Sequence, residues 1–343
     1  MSDSSNKRPT IRDVAQRAGV SKSLVSLVMK NAPTVGEERR ERVLAAAAEL
    51  GYEINWVARF FSAGNAGNSK IIALLVRDLE QPWTSEFVDV ARPVLEDAGY
   101  TVLISLLSPP GPNQPIDFSI LQVFRDLHVA GLMFVGAMQD HTAFNHIVTD
   151  VAIVFAGWAP EDPERVDIVK SDDFAGMSLV VEHLIENGHR RISHIGGVPG
   201  VVSQTRADAY KSVMRKHDLD EYISVINGDF TLKAGHAAAH EALSASEDIR
   251  PTALACADDA AAIGAMSAAD ELGLTIAVTG YDNIAFSALH RINLTTVDAD
   301  NSSLGELAAQ TLLRRIEDST APPVYRLVDP TLIVRSSSVT ASD

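Results

Sequence analysis

The pattern of apolar and polar positions changes character near residue 70 of this 343-residue chain. Before that point apolar residues are sparse and helically spaced. Thr10, followed three residues later by Asp13, offers an N-cap pair for a helix over about 11–17, which AGV at 18–20 interrupts. Ser21 is a second N-cap candidate. Leu24, Val25 and Val28 then lay an apolar stripe along a helix over about 22–29, leaving Lys22, Ser23, Ser26, Leu27 and Lys30 off it. A third helix runs through EERRERVLAAAAEL, with Glu37 and Glu38 at its positive end and Gly51 as its stop. Two short helices around a Gly-containing turn, braced by a third, make an all-α helix-turn-helix head over residues 1–54. In NWVARFFSAGNAGNSK, residues 55–62 have helical spacing but are too few to be stable alone, and Gly64 and Gly67 follow. Residues 55–69 therefore read as a linker carrying a conditional helix.

From residue 70 the chain alternates apolar strands with amphipathic helices. IIALLV, YTVLISLL, VAGLMFVG and VAIVFAG read as strands, and WTSEFVDVARPVLEDAG and IDFSILQVFRDLH as helices. Such a rhythm implies an α/β body with a parallel sheet covered on both faces. APEDPERVDIV reads as a loop, after which the rhythm restarts with helix GMSLVVEHLIENG, strand RISHIGG and helix TRADAYKSVMRKHDL. Strand YISVING, a helix near 233–246, TALACA, a helix near 260–272 and LTIAVTGYD follow. The helix SSLGELAAQTLLRRIED and a terminal strand around YRLVDPTLIVRSS close the chain. Two successive α/β lobes imply a cleft between them.

Composition narrows the class. Hydrophobic residues at 46% suffice for more than one core. No apolar run reaches the roughly 18 residues of a membrane span, and the first twenty residues lack the apolar segment of a secretory signal, so a cytoplasmic protein is expected. Cys256 is the only cysteine, so the chain can form no internal disulfide or cysteine-based metal cluster, and its apolar surroundings place it in a core. A net charge of −16 would argue against nucleic acid if it were uniform. Residues 1–64, however, carry ten Lys/Arg against seven Asp/Glu, whereas residues 65–343 carry nineteen against thirty-eight. A mildly basic head on an acidic body favours head-first approach to DNA.

Enzymatic chemistry has little to stand on. GxGxxG, GxxxxGK[ST], GxSxG and HExxH are all missing, and no cofactor or metal is expected. His183, His189 and His194 fall on a helix, a turn and a strand, and so point apart rather than share a metal. A transport-binding protein would need export and would have no use for a helix-turn-helix head.

The runs TIRDVAQRAGVSKSLVSLVM, VGEERRERVLAAAAELGYEIN and ARFFSAG closely resemble the DNA-binding head and hinge of the LacI–GalR family of transcriptional regulators. The resemblance continues through LLVRDLEQPW, VVEHLIENGHRRISHIGG, GDF, TALACADD, VTGYDN and LTTVDAD, from Thr10 to about Arg335. It implies a homodimer on a pseudo-palindromic double-stranded operator, with a two-lobed, periplasmic-binding-protein-like body over 70–340 holding a small effector. It also places one lobe at 70–169 plus 299–328 and the other at 170–298 plus 329–340.

In this reading Lys22 and Ser23 reach base edges, with Leu27 one turn later, and Thr10, Ser21, Ser26 and Asn31 complete the head's contacts. Leu27 stands where the family commonly carries arginine, so it would pack on a thymine methyl rather than fork onto guanine. In the hinge, Phe61 takes the place of the family's minor-groove leucine, Asn55 and Arg59 face phosphate or the minor groove, and Ala58 permits close approach of paired helices. For the effector, the resemblance implies Arg206 and Asp282 as polar anchors and Trp83, Trp158 and Phe230 as aromatic neighbours, with Leu79 and Gln81 nearby. Asp258, Asp298 and Gly157 depart from the family's common asparagine, basic residue and aspartate. Carboxylates, one arginine and aromatic faces suit a sugar or sugar derivative; a purine or another cationic metabolite stays open, as does the choice between inducer and co-repressor.

Overall fold

The computed structural model describes residues 9–29, 34–52, 69–76, 82–107, 119–136, 151–158 and 166–338. Asn31, Asn55, Ala58, Arg59, Phe61, Leu79 and Gln81 lie outside them. The chain divides into two compact units, Met1–Ser69 and Lys70–Asp343.

The first unit contains helices α1 (Ile11–Ala18), α2 (Lys22–Met29) and α3 (Glu37–Leu50). The Thr10 backbone N–H and hydroxyl both donate to Asp13 Oδ2 at 2.7 Å, and Ser21 Oγ accepts from the Leu24 N–H at 3.2 Å, which fixes where α1 and α2 begin. Gly19 ends α1 at φ 65°, a left-handed conformation that glycine adopts without a Cβ clash. Val14, Ala15, Ala18, Val25, Val28, Val43, Ala46 and Ala47 form the small core.

In the second unit β1 (Ile71–Val76), β2 (Thr101–Leu106), β3 (Gly131–Val135), β4 (Ala152–Ala156), β5 (Asp167–Ser171) and β11 (Tyr325–Val328) make one parallel sheet in the order β11-β5-β4-β3-β1-β2. Side chains alternate across it: Ile72, Leu74 and Val76 enter one core, and Ala73 and Leu75 the other. Helices α4 (Pro82–Asp97), α5 (Ser119–Asp126) and α10 (Asn301–Glu317) accompany this lobe. The other lobe has a parallel sheet β7-β6-β8-β9, from β6 (Ile192–Ile195), β7 (Ser224–Ile226), β8 (Ala253–Cys256) and β9 (Ala277–Thr279). Its helices are α6 (Asp173–Glu186), α7 (Val201–Lys216), α8 (Leu232–Leu243) and α9 (Asp259–Glu271). A short antiparallel pair, β10 (Thr296–Asp298) with β12 (Thr331–Ile333), lies where the chain passes between lobes.

Two expectations change. The loop reading of APEDPERVDIV runs into β5, whose DIVKS carries three polar residues that are nonetheless buried. Burial is tolerated because Asp167 pairs with Arg315 and Lys170 with Asp173. The single terminal strand is two, β11 and β12, in different sheets. Pro330 between them has no N–H to continue a ladder, and it marks the break.

Candidate functional site

A cavity of about 70 Å³ opens where strands of both lobes end at their C-terminal edges, the usual ligand position in parallel α/β sheets. Trp83 and Thr84 come from the start of α4, Gly136 and Gly157 from the turns after β3 and β4, and Ser171 from the end of β5. Asp173, Arg206, Phe230, Asp258 and Asp282 face them from the other lobe, and Asn301 and Leu304 come from α10.

Arg206 is the buried centre of this site. Its Nε and Nη2 donate to Asp173 Oδ1 at 3.0 and 2.8 Å, Nη1 donates to the Ala257 carbonyl, and its guanidinium lies over the Tyr281 ring at 3.5 Å from the centroid. Lys170 Nζ lies 3.1 Å from the other Asp173 oxygen. Burial would favour the neutral guanidine, but Asp173 and Asp282 outweigh it and hold the proton firmly. Asp172 makes this possible by capping α6 through the Ala175 N–H at 2.9 Å, which leaves Asp173 in the first turn to face Arg206.

Two neighbouring aspartates after β8 divide their labour. Asp259 accepts from the Ile284 N–H, Ser287 Oγ and Thr296 Oγ1, all inside the protein. Burial still pushes its carboxyl up to about 7. Asp258 caps α9 through Oδ1 and the Ala261 N–H at 2.8 Å, and lines the cavity. Burial, reinforced by the charge of Asp282, pushes the Asp258 carboxyl well above the usual carboxylate range.

Asp282 adopts φ 101°, a left-handed conformation that costs a non-glycine residue on the order of 1–3 kcal/mol. The surroundings enforce it. The Asp282 N–H donates to the Val297 carbonyl, and Asn283, also left-handed at φ 47°, donates through Nδ2 to Asp298 Oδ2 at 3.0 Å. Arg335 Nη2 donates to Asn283 Oδ1 at 2.8 Å. Burial pushes the Asp282 carboxyl up to about 6, against the pull of Arg206.

Of the residues singled out from the sequence, Trp83, Gly157, Arg206, Phe230, Asp258 and Asp282 line the cavity together. Gly157 sits at φ 83°, and a Cβ there would meet the Trp83 ring at 3.2 Å, so the indole occupies the room a side chain would need. Trp158 and Asp298 do not line it. Trp158 is 1% exposed and packs edge-on against Phe155 at 4.9 Å, while the Asp298 carboxylate is taken by Asn283 and the Asp300 N–H. Thr84, Ser171, Asp173, Asn301 and Leu304 were not singled out; Asp173 had no local mark beyond a pair of aspartates before a helix.

In the head, Ser21, Lys22, Ser23 and Leu27 are exposed on and beside α2 while Val25 and Val28 point inward; Ser26 is half-buried and Thr10 is exposed at the start of α1. The three histidines go separate ways: His183 to Ser338, His189 to Thr252 and His194 to the Ala255 carbonyl. Among the described residues no His/Cys/Asp/Glu group could hold a metal, and no helix is long and apolar enough to cross a membrane.

Comparison with known proteins gives two family matches: bacterial regulatory proteins of the lacI family over residues 10–55, and the periplasmic binding protein-like domain over 181–338. The HTH-type transcriptional repressor PurR of Serratia proteamaculans is 33% identical over 348 residues, 96% of each chain, and that of Pectobacterium atrosepticum 31% over the same span. Among solved structures, a lac repressor dimer bound to operator and the anti-inducer ONPF matches with a TM-score of 0.78 and 26% identity over 97% of this chain and 100% of that one. A complex of the transcriptional regulator CelR with cellobiose matches at 0.70 and 26%, over 96% and 100%.

Proposed function

Because this chain belongs to the lacI family of bacterial regulatory proteins and is a DNA-binding transcriptional repressor with an effector-binding body, we propose that a small sugar-like molecule, held between the two lobes, sets its affinity for operator DNA. In this reading the protein works in the cytoplasm as a homodimer, each head occupying half of a pseudo-palindromic operator, with Lys22, Ser23 and Leu27 at the base edges. Thr10, Ser21 and Ser26 face the DNA backbone around them.

The observation that carries the effector class is the balance of charge and hydrogen-bonding capacity in the cleft. The one cation on its wall among the described residues, Arg206, is already paired with Asp173, which also holds Lys170 behind it. A phosphorylated or carboxylate ligand would face three carboxylates, Asp173, Asp258 and Asp282, around one arginine, whereas Asp258 and Asp282 offer acceptors for hydroxyl donors and Trp83 and Phe230 offer apolar faces for a ring. The lac repressor and the CelR–cellobiose complex support the same class. A purine is the second reading, favoured by the similarity to PurR repressors over nearly the whole chain.

The cavity's 70 Å³ holds about five waters at roughly 15 Å³ each, well below the usual pocket of about 300 Å³ or more. A ring-sized effector therefore has to part the lobes, and a change of lobe angle is the means by which occupancy would reach the heads. The test is selection of operator duplexes from the DNA upstream of the protein's own coding region, followed by affinity measurement at fixed salt with sugars and purines. A sugar that changes operator affinity supports the reading, with weakening marking an inducer and strengthening a co-repressor. A response to purines alone selects the second reading, and lack of sequence-specific binding contradicts both.

A further inference from the structure

The cleft's inventory of donors and acceptors is unequal. Arg206 directs Nε and Nη2 at one Asp173 oxygen and Nη1 at the Ala257 carbonyl, and Lys170 takes the second Asp173 oxygen. Asp258, 2% exposed, spends Oδ1 on the α9 cap, and its Oδ2 accepts no hydrogen bond from the described residues. The Asp282 carboxylate accepts none either; its nearest cation, Arg206 Nη2, is 3.7 Å away, beyond hydrogen-bond distance. Two carboxylates thus line one cavity with acceptor capacity to spare, and the one described cation that reaches either, Arg206 beside Asp282, spends its hydrogen bonds on Asp173 and Ala257.

A hydroxyl can fill such acceptors but adds no positive charge to a site whose carboxylates outnumber its cations; an ammonium brings three donors and that charge. Resting on the sugar reading above, we propose that the effector carries a protonated primary amine seated between Asp258 and Asp282, making it an amino sugar, and that Asp258 is the residue that selects it. Trp83 and Phe230 then cover the ring's apolar faces. Burial, with the charge of Asp282 added at Asp258, raises both carboxyls, so the unliganded pair retains a proton that an arriving ammonium displaces.

Asp258→Asn separates this role from folding, since asparagine caps a helix about as well as aspartate but carries no charge. The experiment is calorimetric titration of the full chain with glucosamine, galactosamine and mannosamine, their parent hexoses, their N-acetyl forms, and adenine and hypoxanthine, with thermal unfolding as the check that D258N is folded. One amino sugar is expected to bind at least about tenfold more tightly than both its parent and its N-acetyl form, as a charge-assisted hydrogen bond would give, and D258N is expected to reduce that preference to below about threefold. A parent or N-acetyl sugar that binds as tightly as its amino counterpart, or an amino preference unchanged in folded D258N, overturns the proposal and leaves the sugar reading standing. Binding of adenine or hypoxanthine alone, or of nothing in the panel, overturns both.

Discussion

Two arginine–aspartate pairs built on buried aspartates in the same body have opposite characters. Arg315 forks onto Asp167, with Nε to Oδ2 at 2.6 Å and Nη2 to Oδ1 at 3.1 Å; its Nη1 donates to the Ser319 and Ala321 carbonyls, and Asp167 also accepts from the Val324 N–H. That network ties α10, β5 and the approach to β11 together and is not part of the cleft's lining. Arg206 is the more deeply buried of the two arginines, yet it crowds one Asp173 oxygen and leaves Asp282, in a strained backbone conformation, with only a distant partner. Burial and ion pairing therefore do not mark a functional site by themselves. Acceptor capacity left over and facing a cavity does.

Four changes would break or sharpen that contrast. Arg206→Ala strips the cation from Asp173 and Asp282, and effector affinity measured by calorimetry is expected to fall at least about 100-fold, or about 2.8 kcal/mol, the lower part of the range for truncating one partner of a buried charge pair in a binding site. Asp167→Asn is expected to cost about 3 kcal/mol in denaturant unfolding, the lower end of the range typical of removing one partner of a buried pair, while leaving the ranking of ligands unchanged. A shift in ligand ranking would mean that the two pairs are not separable. Leu27→Arg lies in the other unit and should touch neither pair; it is expected to move operator preference toward guanine at one base pair by about 1–3 kcal/mol, read by competition among duplexes.

The smallest effect is with pH. Asp282 is faced by Arg206, Tyr281, Asp173, Asp258 and Glu86, and its carboxyl sits at about 6 in the empty cleft. Only the ionised form pairs with an ammonium, so affinity for an amino sugar should fall as pH drops through 6, by up to about tenfold per unit. A flat profile between pH 5 and 8 would remove Asp282 from ammonium binding.

The head was legible because its determinants are local: Thr10 with Asp13, Ser21, Gly19 and the Leu24, Val25, Val28 stripe each act within a few residues. The strands of the body were legible wherever they are continuously apolar. β5 escaped because the loop reading of APEDPERVDIV took in Asp167, whose burial only its partner Arg315, distant in sequence, makes tolerable. Within the cleft, Arg206, Asp258 and Asp282 were reached by resemblance, whereas the pairing of Asp173 with Arg206 spans 33 positions and had no local mark. Trp158 and Asp298 went the other way. Both lie beside the cleft in sequence, but the Phe155 contact turns one into core and Asn283 consumes the other.

The most direct test is a fluorescence-anisotropy titration of operator DNA with the full chain, at fixed salt, with and without a saturating effector, repeated for Arg206→Ala. The account expects the effector to shift operator affinity at least about tenfold in the natural chain, within the range of allosteric couplings, and to shift it in the variant not at all. Operator affinity that ignores every ligand of the cleft, or that responds equally in the variant, would contradict it.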